Sequence, residues 1–339
     1  MKVLQVTQPG EVLVAEKEVR ALQAGEALVD IKRVGICGSD ILIYNGGNPF
    51  TVYPRVIGHE MAGVVSALAP DVTGISVGDR VSIDPVLNCG VCDSCRRGHP
   101  NVCSHLQVMG VHTDGGFASQ HIVPAKNLYR VPDSLSWEAA TMVEPFSIGS
   151  NICERTQISR GDRVLIVGSG VIGNTVLMTA KMLGAEVMVC DIVDEKLDKA
   201  RELGADSVFN SSKVDLYEEV MRITDGDGVT VVIDAASIPS LFHTLLTCAA
   251  PGGRMGVLGF SKSDSVVNQF EITRKELTIV GSRLNNRRFP SVIESFETGA
   301  LNPEVLLDGV YPFEEAERIL KDLAQSGMNK GKTLISLSE

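Results

Sequence analysis

The chain has 339 residues, of which 44% are hydrophobic and 22% charged, and it carries a formal net charge of −11 at pH 7. That length exceeds what one hydrophobic core usually supports, which predicts two domains. The negative charge argues against nucleic acid or an acidic membrane surface as a partner and favours small-molecule ligands. Because the N-terminal residues lack a secretory signal and no apolar run has membrane-spanning length, we expect a cytoplasmic protein with no membrane partner.

About the first 140 residues are punctuated by glycine and proline and hold short runs rich in β-forming residues. These runs are ALVDIKRVGI, AGVVSALA, DRVSIDPV and HIVPAKNLYRV. They predict a β-rich barrel domain. Two motifs within it, VGICGSD and PRVIGHE, supply Cys37, His59 and Glu60, although an isolated cysteine or histidine is more often a core residue than a ligand.

A loop of the same region holds four cysteines in the pattern Cys89-x2-Cys92-x2-Cys95-x7-Cys103. Neighbouring glycines and a proline allow such a loop to wrap around a tetrahedral ion. Four thiolates leave no coordination position open, so the spacing predicts a structural zinc ion. An iron–sulfur cluster is the rival interpretation, which is disfavoured by the long last spacing and by a glycine-rich dinucleotide motif, Gly168-x-Gly170-x-x-Gly173, later in the chain.

After Glu144, strand-like runs alternate with amphipathic segments of helical length, as in a doubly wound parallel sheet. Past residue 282 the alternation stops, and one helical pattern, FEEAERILKDLAQS, precedes a final strand, KTLISL. We expect that strand to return to the first domain. The predicted fold is α/β, with a discontinuous zinc domain (1–147 and 285–339) and a Rossmann NAD-binding domain (148–284).

A dinucleotide site is predicted where the strand RVLIVG runs into Gly168-x-Gly170-x-x-Gly173 and then a helix. The glycines permit a tight turn and close approach of the backbone to a pyrophosphate at the helix N-terminus. A second strand ends at Asp191, whose carboxylate accepts from ribose hydroxyls and repels the 2′-phosphate of NADP, so NAD is preferred. The predicted cofactor contacts are Gly168, Gly170, Val171, Ile172, Gly173, Asp191, Lys196 and Arg283.

Taken together, CGSD, GHE, the four-cysteine loop, DGGFA, EPF, the glycine turn and GSR occur in an order that resembles the zinc-containing medium-chain alcohol and polyol dehydrogenases. The resemblance covers nearly the whole chain. It implies that the β-rich part is a GroES-like catalytic domain, and that the cofactors are NAD and two zinc ions per subunit, one catalytic and one structural. Relatives are dimers or tetramers, so a homodimer or homotetramer is expected.

The same resemblance implies a catalytic zinc bound by Cys37, His59 and one carboxylate. Alcohol dehydrogenases use two cysteines and a histidine, whereas this chain has Glu144 at the third position, as in the polyol branch. The ligating carboxylate is either Glu144 or Glu60, and the two could alternate. A Lewis-acidic zinc lowers the pKa of a secondary alcohol and so makes it a better hydride donor.

Ser39 matches the family's first proton-relay hydroxyl and is expected to take the substrate proton. Asp40 is expected to accept from the second ring nitrogen of His59 and to fix its tautomer. Many relatives have a histidine three residues past the serine, but this chain has Leu42. The relay must therefore leave through water, the ribose hydroxyls or, as a weaker candidate, Tyr44.

On the substrate side, the segment GVHTDGGFA supplies His112 as a candidate substrate contact and Asp114 as a residue that braces its own turn. Arg283 is expected at the nicotinamide pocket, where its planar fork suits a sugar-acid carboxylate. The sequence of these segments resembles that of bacterial dehydrogenases of L-gulonate, L-galactonate or L-idonate and of starvation-sensing dehydrogenases. We therefore expect oxidation of a hexonate at carbon 5; a neutral polyol or L-threonine dehydrogenase is the alternative, and a non-catalytic NAD-binding sensor the non-enzyme alternative.

Overall fold

The computed structural model describes residues 1–326 and 331–337. The chain divides into two compact units, one formed by Met1–Ser147 with Asn285–Glu339 and the other by Ile148–Leu284. None of the helices in the described ranges is long and apolar enough to cross a membrane.

Up to residue 155 the regular secondary structure is mainly β-strand. The elements in this part are β1 (Lys2–Gln8), β2 (Glu11–Glu16), β3 (Glu26–Gly35), α1 (Gly38–Tyr44), β4 (Arg55–Val56), β5 (Glu60–Leu68), β6 (Arg80–Ile83), β7 (Val86–Leu87), α2 (Asp93–Arg96), β8 (Gln107–Val108), β9 (Gln120–Pro124), β10 (Leu128–Arg130) and α3 (Trp137–Arg155).

From residue 163 strands and helices alternate. The elements are β11 (Arg163–Val167), α4 (Val171–Met182), β12 (Glu186–Asp191), α5 (Asp194–Glu202), β13 (Ser207–Asn210), α6 (Leu216–Ile223), β14 (Val229–Asp234), α7 (Phe242–Cys248), β15 (Ala249–Val257), α8 (Gln269–Lys275) and β16 (Thr278–Gly281). The remaining elements are α9 (Phe289–Glu297), β17 (Leu307–Pro312), α10 (Ala316–Ser326) and β18 (Lys332–Ser336).

The second unit contains a parallel sheet with the order β13-β12-β11-β14-β15-β16. This is the strand order of a doubly wound dinucleotide-binding fold, and the prediction of such a sheet is confirmed. Its central strands are continuous apolar runs because helices cover both faces. Ile166 belongs to the core on one face and Leu165 to the core on the other, and both side chains are fully buried.

The first unit contains a mixed sheet with the order β10-β6-β5-β3-β18-β17, and β9 pairs with β3 as well. Alternate residues of β3 are buried, as expected for a strand with one face on the core. β3 runs antiparallel to β5 with Gly35 opposite Glu60, and antiparallel to β18 with Gly35 opposite Leu334. The prediction that the strand KTLISL returns to the first domain is therefore confirmed.

The prediction of a single helix after residue 282 is wrong. Besides α10, the structure has α9, whose buried residues Phe289, Val292, Ile293 and Phe296 recur at helical spacing. Pro290 occupies the first turn, where its missing N–H breaks no helical hydrogen bond. The sequence did not predict this helix because it has only nine residues and because the segment at its start contains arginines and a proline.

Candidate active site

The four cysteines of the predicted structural zinc site lie close together. The sulfur atoms of Cys89, Cys92, Cys95 and Cys103 all lie within 4.8 Å of one another. Sγ of Cys103 is 3.5 Å from Sγ of Cys89 and 3.7 Å from that of Cys92. Sulfurs placed about 2.3 Å from a tetrahedral zinc are about 3.8 Å apart, so the donor set fits a closed, structural zinc site. The remaining cysteines, Cys153, Cys190 and Cys248, are buried core residues, as predicted.

Backbone groups favour negative charge on this cluster. N–H groups of Cys92, Cys89 and His105 donate to cluster sulfurs over 3.3–3.4 Å. The hydroxyl of Ser94 lowers the pKa of Cys92 to about 4. Burial raises the pKa of Cys95 to about 12. The protein alone therefore favours the thiolate of Cys92 but not that of Cys95, and a divalent cation held by the four sulfurs would supply the missing positive charge.

The second group combines Cys37, His59 and Glu60, whose donor atoms also lie within 4.8 Å of one another. Cys37 immediately precedes α1, and His59 immediately precedes β5, which begins at Glu60. Sulfur, imidazole and carboxylate donors are all ligands that zinc accepts. Oε2 of Glu60 is buried and has no hydrogen-bond partner among the described residues. A bare carboxylate oxygen in such a place costs free energy unless a cation or proton meets it, so these residues fit a zinc ion.

Asp40 connects the two segments that carry these ligands. Its fully buried carboxylate accepts from the N–H of Cys37 over 2.8 Å and from the N–H of Gly58 over 3.1 Å. Its Oδ1 lies 3.8 Å from Nδ1 of His59, which is longer than a hydrogen bond. The backbone contacts thus position both ligand segments, while the predicted hydrogen bond to His59 is not formed at this distance.

His59 is nearly buried and faces several acidic groups. Burial by itself lowers the pKa of His59, but the charges of Cys37, Asp40 and Glu144 outweigh it and place the pKa well above 6.5. Nε2 of His59 is 3.4 Å from Oγ of Ser39. The predicted proton-accepting hydroxyl therefore lies next to the predicted ligand group.

Glu60 is held by a lysine that the sequence did not single out. Nζ of Lys332 lies 2.5 Å from Oε1 of Glu60 and 3.0 Å from the carbonyl oxygen of Ile36. The Lys332 and Glu60 side chains are only 2% and 1% exposed. A lysine in a buried strand is rare unless it is paired, and its position in KTLISL is the signal that could have identified it.

Glu144 lies on α3 and is buried close to the same charges. Burial raises its pKa to about 8, with a further upward contribution from Glu60 that His59 and Lys332 oppose. The structure brings Glu60, rather than Glu144, within 4.8 Å of the Cys37 and His59 donor atoms. Both carboxylates remain candidates, with Glu60 the nearer in this arrangement.

The glycine turn lies between β11 and α4 in the second unit. Gly168 has φ of +102°, a left-handed value that favours glycine, and a Cβ on Gly173 would come within 1.9 Å of the Gly168 carbonyl oxygen. A Cβ on Gly170 would meet nothing within 4 Å. Gly170 directly precedes the first helical residues, Val171 and Ile172. Open space in front of a helix N-terminus fits a pyrophosphate.

Asp191 ends β12 beside this turn. Its carboxylate accepts from the N–H groups of Ser169, Ile192 and Val193 over 2.8–3.1 Å, which fixes its orientation. Lys196 meets the turn through its main chain, because its carbonyl oxygen accepts from Oγ of Ser169 over 3.1 Å. These contacts fit the predicted role of Asp191 toward ribose hydroxyls, whereas Lys196 contributes its backbone.

Three candidate substrate-side residues have defined neighbours. The ring of His112 stacks on Phe50 with centroids 5.5 Å apart, and its Nδ1 accepts from the N–H of Val108. The guanidinium of Arg283 lies 5.3 Å from the centroid of the Phe260 ring. Asp114 does not brace its own turn as predicted: it accepts from Lys17, Arg55 and the N–H of Val56, because cationic groups of other segments reach it.

Comparison with known proteins agrees with these features. Residues 23–133 match the model "Alcohol dehydrogenase GroES-like domain" and residues 171–298 match "Zinc-binding dehydrogenase". The chain therefore belongs to the zinc-type alcohol dehydrogenase family, whose members are oxidoreductases acting on CH–OH groups. The predicted fold class, enzyme class and cofactor chemistry are confirmed by this membership.

Individual relatives cover all or nearly all of the chain. It is 41% identical over 341 residues to the starvation-sensing protein RspB of Escherichia coli (strain K12), with 100% of both chains covered. It is 32% identical to L-galactonate-5-dehydrogenase of the same strain, with 92% of each chain covered. The crystal structure of the short chain alcohol dehydrogenase (rspB) from E. coli CFT073, complexed with NADH, is similar with a TM-score of 0.95, 40% identity and 99% coverage of each chain.

Proposed function

We propose that this chain oxidises a secondary alcohol of a hexonate sugar acid, such as L-gulonate, at carbon 5 with NAD as hydride acceptor. The observation that carries the proposal is the meeting of the Cys37, His59 and Glu60 donors beside the Ser39 hydroxyl. When bound, zinc supplies Lewis acidity toward the substrate hydroxyl and NAD accepts the hydride. A non-catalytic NAD sensor has no need of such a group.

The residues of the chain divide the remaining work. The catalytic zinc would be held by Cys37, His59 and either Glu60 or Glu144, and the structural zinc by the four-cysteine loop. Ser39 takes the substrate proton at Oγ, and Asp40 keeps the two ligand segments together through the N–H groups of Cys37 and Gly58. With Leu42 where relatives have a histidine, the proton continues from Ser39 through water or the ribose hydroxyls of the cofactor.

The cofactor choice follows from Asp191, whose carboxylate is fixed at the end of β12 by three backbone donors. It accepts from ribose hydroxyls and repels a 2′-phosphate, which favours NAD over NADP. The substrate choice is supported by the likeness to L-galactonate-5-dehydrogenase and by Arg283, whose guanidinium can hold a carboxylate bidentately. Cytoplasmic localisation and a homodimer or homotetramer stay predictions.

The substrate proposal is tested by NADH formation with purified enzyme across L-gulonate, L-galactonate, L-idonate, sorbitol, xylitol and L-threonine. L-gulonate and sorbitol form a matched pair, because they differ only at one terminal carbon, which is a carboxylate in the former. A charged hydrogen-bonded pair contributes about 1.5–3 kcal/mol, so kcat/KM should favour L-gulonate by about 10–100-fold. Carbon-13 NMR of the product locates the new ketone.

Three outcomes contradict the proposal in different ways. A higher kcat/KM for sorbitol or xylitol than for every hexonate assigns the enzyme to neutral polyols. A preference for L-threonine assigns it to the amino-alcohol branch. NAD binding without NADH formation from any substrate, in protein shown to hold two zinc ions, supports the sensor alternative.

A further inference from the structure

Gly35, the last residue of β3, lies where the metal-binding group approaches the sheet. It is buried and faces Glu60 across the antiparallel β3–β5 pair. Its backbone is outside the left-handed region, so chain conformation does not require a glycine here. Glycine weakens a strand and commonly marks a place where another group approaches closely. A neighbouring group that occupies the space of a side chain would therefore explain why position 35 is a glycine.

That group is the carboxylate of Glu60. A Cβ on Gly35 would lie 1.9 Å from Oε2 of Glu60 and 3.1 Å from its Cβ and Cδ. The other carboxylate oxygen, Oε1, is paired with Lys332. The Glu60 carboxylate thus lies between the ammonium group of Lys332 and the space left by the missing side chain of Gly35, and its Oε2 has no hydrogen-bond partner in the described structure.

We propose that Gly35 is a positioning residue for the catalytic metal: its missing side chain provides the space in which the Glu60 carboxylate lies beside Cys37 and His59. The inference rests on the proposed zinc-dependent function. It assigns Gly35 no contact with substrate, cofactor or metal. Its effect passes through Glu60, because the atom that a new methyl group would meet first is the end of that flexible side chain rather than backbone.

The test is Gly35→Ala in the zinc-loaded enzyme. The methyl group should turn the Glu60 carboxylate away while leaving the strand intact. Loss of a group that orients a ligand costs about 10–100-fold in metal affinity, so retention of one of the two zinc ions during dialysis against a chelator should weaken by that factor. The visible spectrum of the cobalt-substituted enzyme should change, and the ion in the cysteine loop should stay bound.

A double-mutant cycle separates a route through Glu60 from a general disturbance of the strand. With Glu60→Ala as background, Gly35→Ala should change zinc retention and the cobalt spectrum no further. If Glu60→Ala does not fold because Lys332 loses its partner, Glu60→Ala with Lys332→Met serves as the background. Gly47→Ala is the control, since its Cβ would make only an ordinary contact, 3.5 Å from Leu42.

Two results overturn the inference: wild-type zinc retention and cobalt spectrum in Gly35→Ala, or an equal loss in the presence and absence of Glu60. Failure of the proposed function looks different. In that case Cys37→Ala, made in the otherwise natural chain, would leave the zinc content of the purified protein unchanged.

Discussion

Lys332→Met isolates the buried charge pair beneath the proposed metal centre. Methionine keeps the length and apolar stem of lysine but removes the ammonium group that lies 2.5 Å from Oε1 of Glu60. Both side chains are almost completely buried, so water cannot replace the lost partner. Removing one member of a buried ion pair costs about 3–5 kcal/mol, because the other charge is left uncompensated.

This cost falls on the unit formed by Met1–Ser147 and Asn285–Glu339. For a unit of that size, 1 kcal/mol shifts the melting temperature by about 2–4 °C. The expected decrease is therefore about 6–20 °C, measured by differential scanning calorimetry of metal-free protein so that zinc binding does not contribute. The double variant Lys332→Met with Glu60→Gln removes both charges and should recover most of the loss.

Lys321→Met is the matched control. Lys321 pairs with Glu317 over 2.7 Å on α10, but both side chains are 41% exposed. An exposed pair of this spacing contributes about 0.3–0.5 kcal/mol, so its melting temperature should fall by no more than about 2 °C. Equal shifts for Lys332→Met and Lys321→Met would refute the reasoning that burial gives the Lys332–Glu60 pair its energetic weight.

Four further outcomes are expected. Ser39→Ala should lower kcat by about 10²–10⁴-fold with unchanged zinc content by metal analysis; wild-type turnover would remove Ser39 from the proton path. Asp191→Ala should lower the ratio of kcat/KM for NAD to that for NADP at least about tenfold, because the repulsive carboxylate is gone; a constant ratio would contradict its role. Cys92→Ser should reduce zinc from two ions to one per chain and make the loop sensitive to protease, whereas full zinc content would exclude a four-cysteine site. Burial raises the pKa of Asp84 from 3.8 to about 6, so the folded protein binds this proton more tightly than the unfolded chain and its stability falls as pH rises toward 6. Asp84→Asn should therefore reduce the decrease in melting temperature between pH 5 and pH 7. An unchanged dependence of melting temperature on pH would show that another group titrates.

Much of the fold was predictable because its signals are local. The β/α alternation after Glu144 is a pattern of short apolar runs and amphipathic segments, each visible in a window of a dozen residues. The glycine turn and Asp191 are likewise set by spacing along the chain. The helix α9 was overlooked, although Phe289, Val292, Ile293 and Phe296 have helical spacing, because it is short, has a proline in its first turn and follows a basic segment.

The ligands of the site were predictable where residue type itself is informative, as with the four clustered cysteines. The residues that support the ligands were not. Gly35 and Lys332 are separated by almost the whole chain, and the pairing of β3 with both β5 and β18 brings them to the same Glu60 carboxylate. Which of Glu60 and Glu144 lies nearer the Cys37 and His59 donor atoms is likewise set by tertiary structure, which no local window of the sequence contains. The prediction that Asp114 braces its own turn was wrong for the same reason, since its partners Lys17 and Arg55 come from other segments of the chain.

The pairing of β3 with β18 also affects the order in which the two units can fold during translation. The dinucleotide unit is continuous, so it can fold as soon as residues 148–284 have been made. The first unit begins earlier but has to wait, because β18 is translated only after the entire second unit. Until then the nascent chain carries Cys37, His59 and Glu60 without Lys332. The Glu60 carboxylate is therefore made long before the ammonium group that pairs with it.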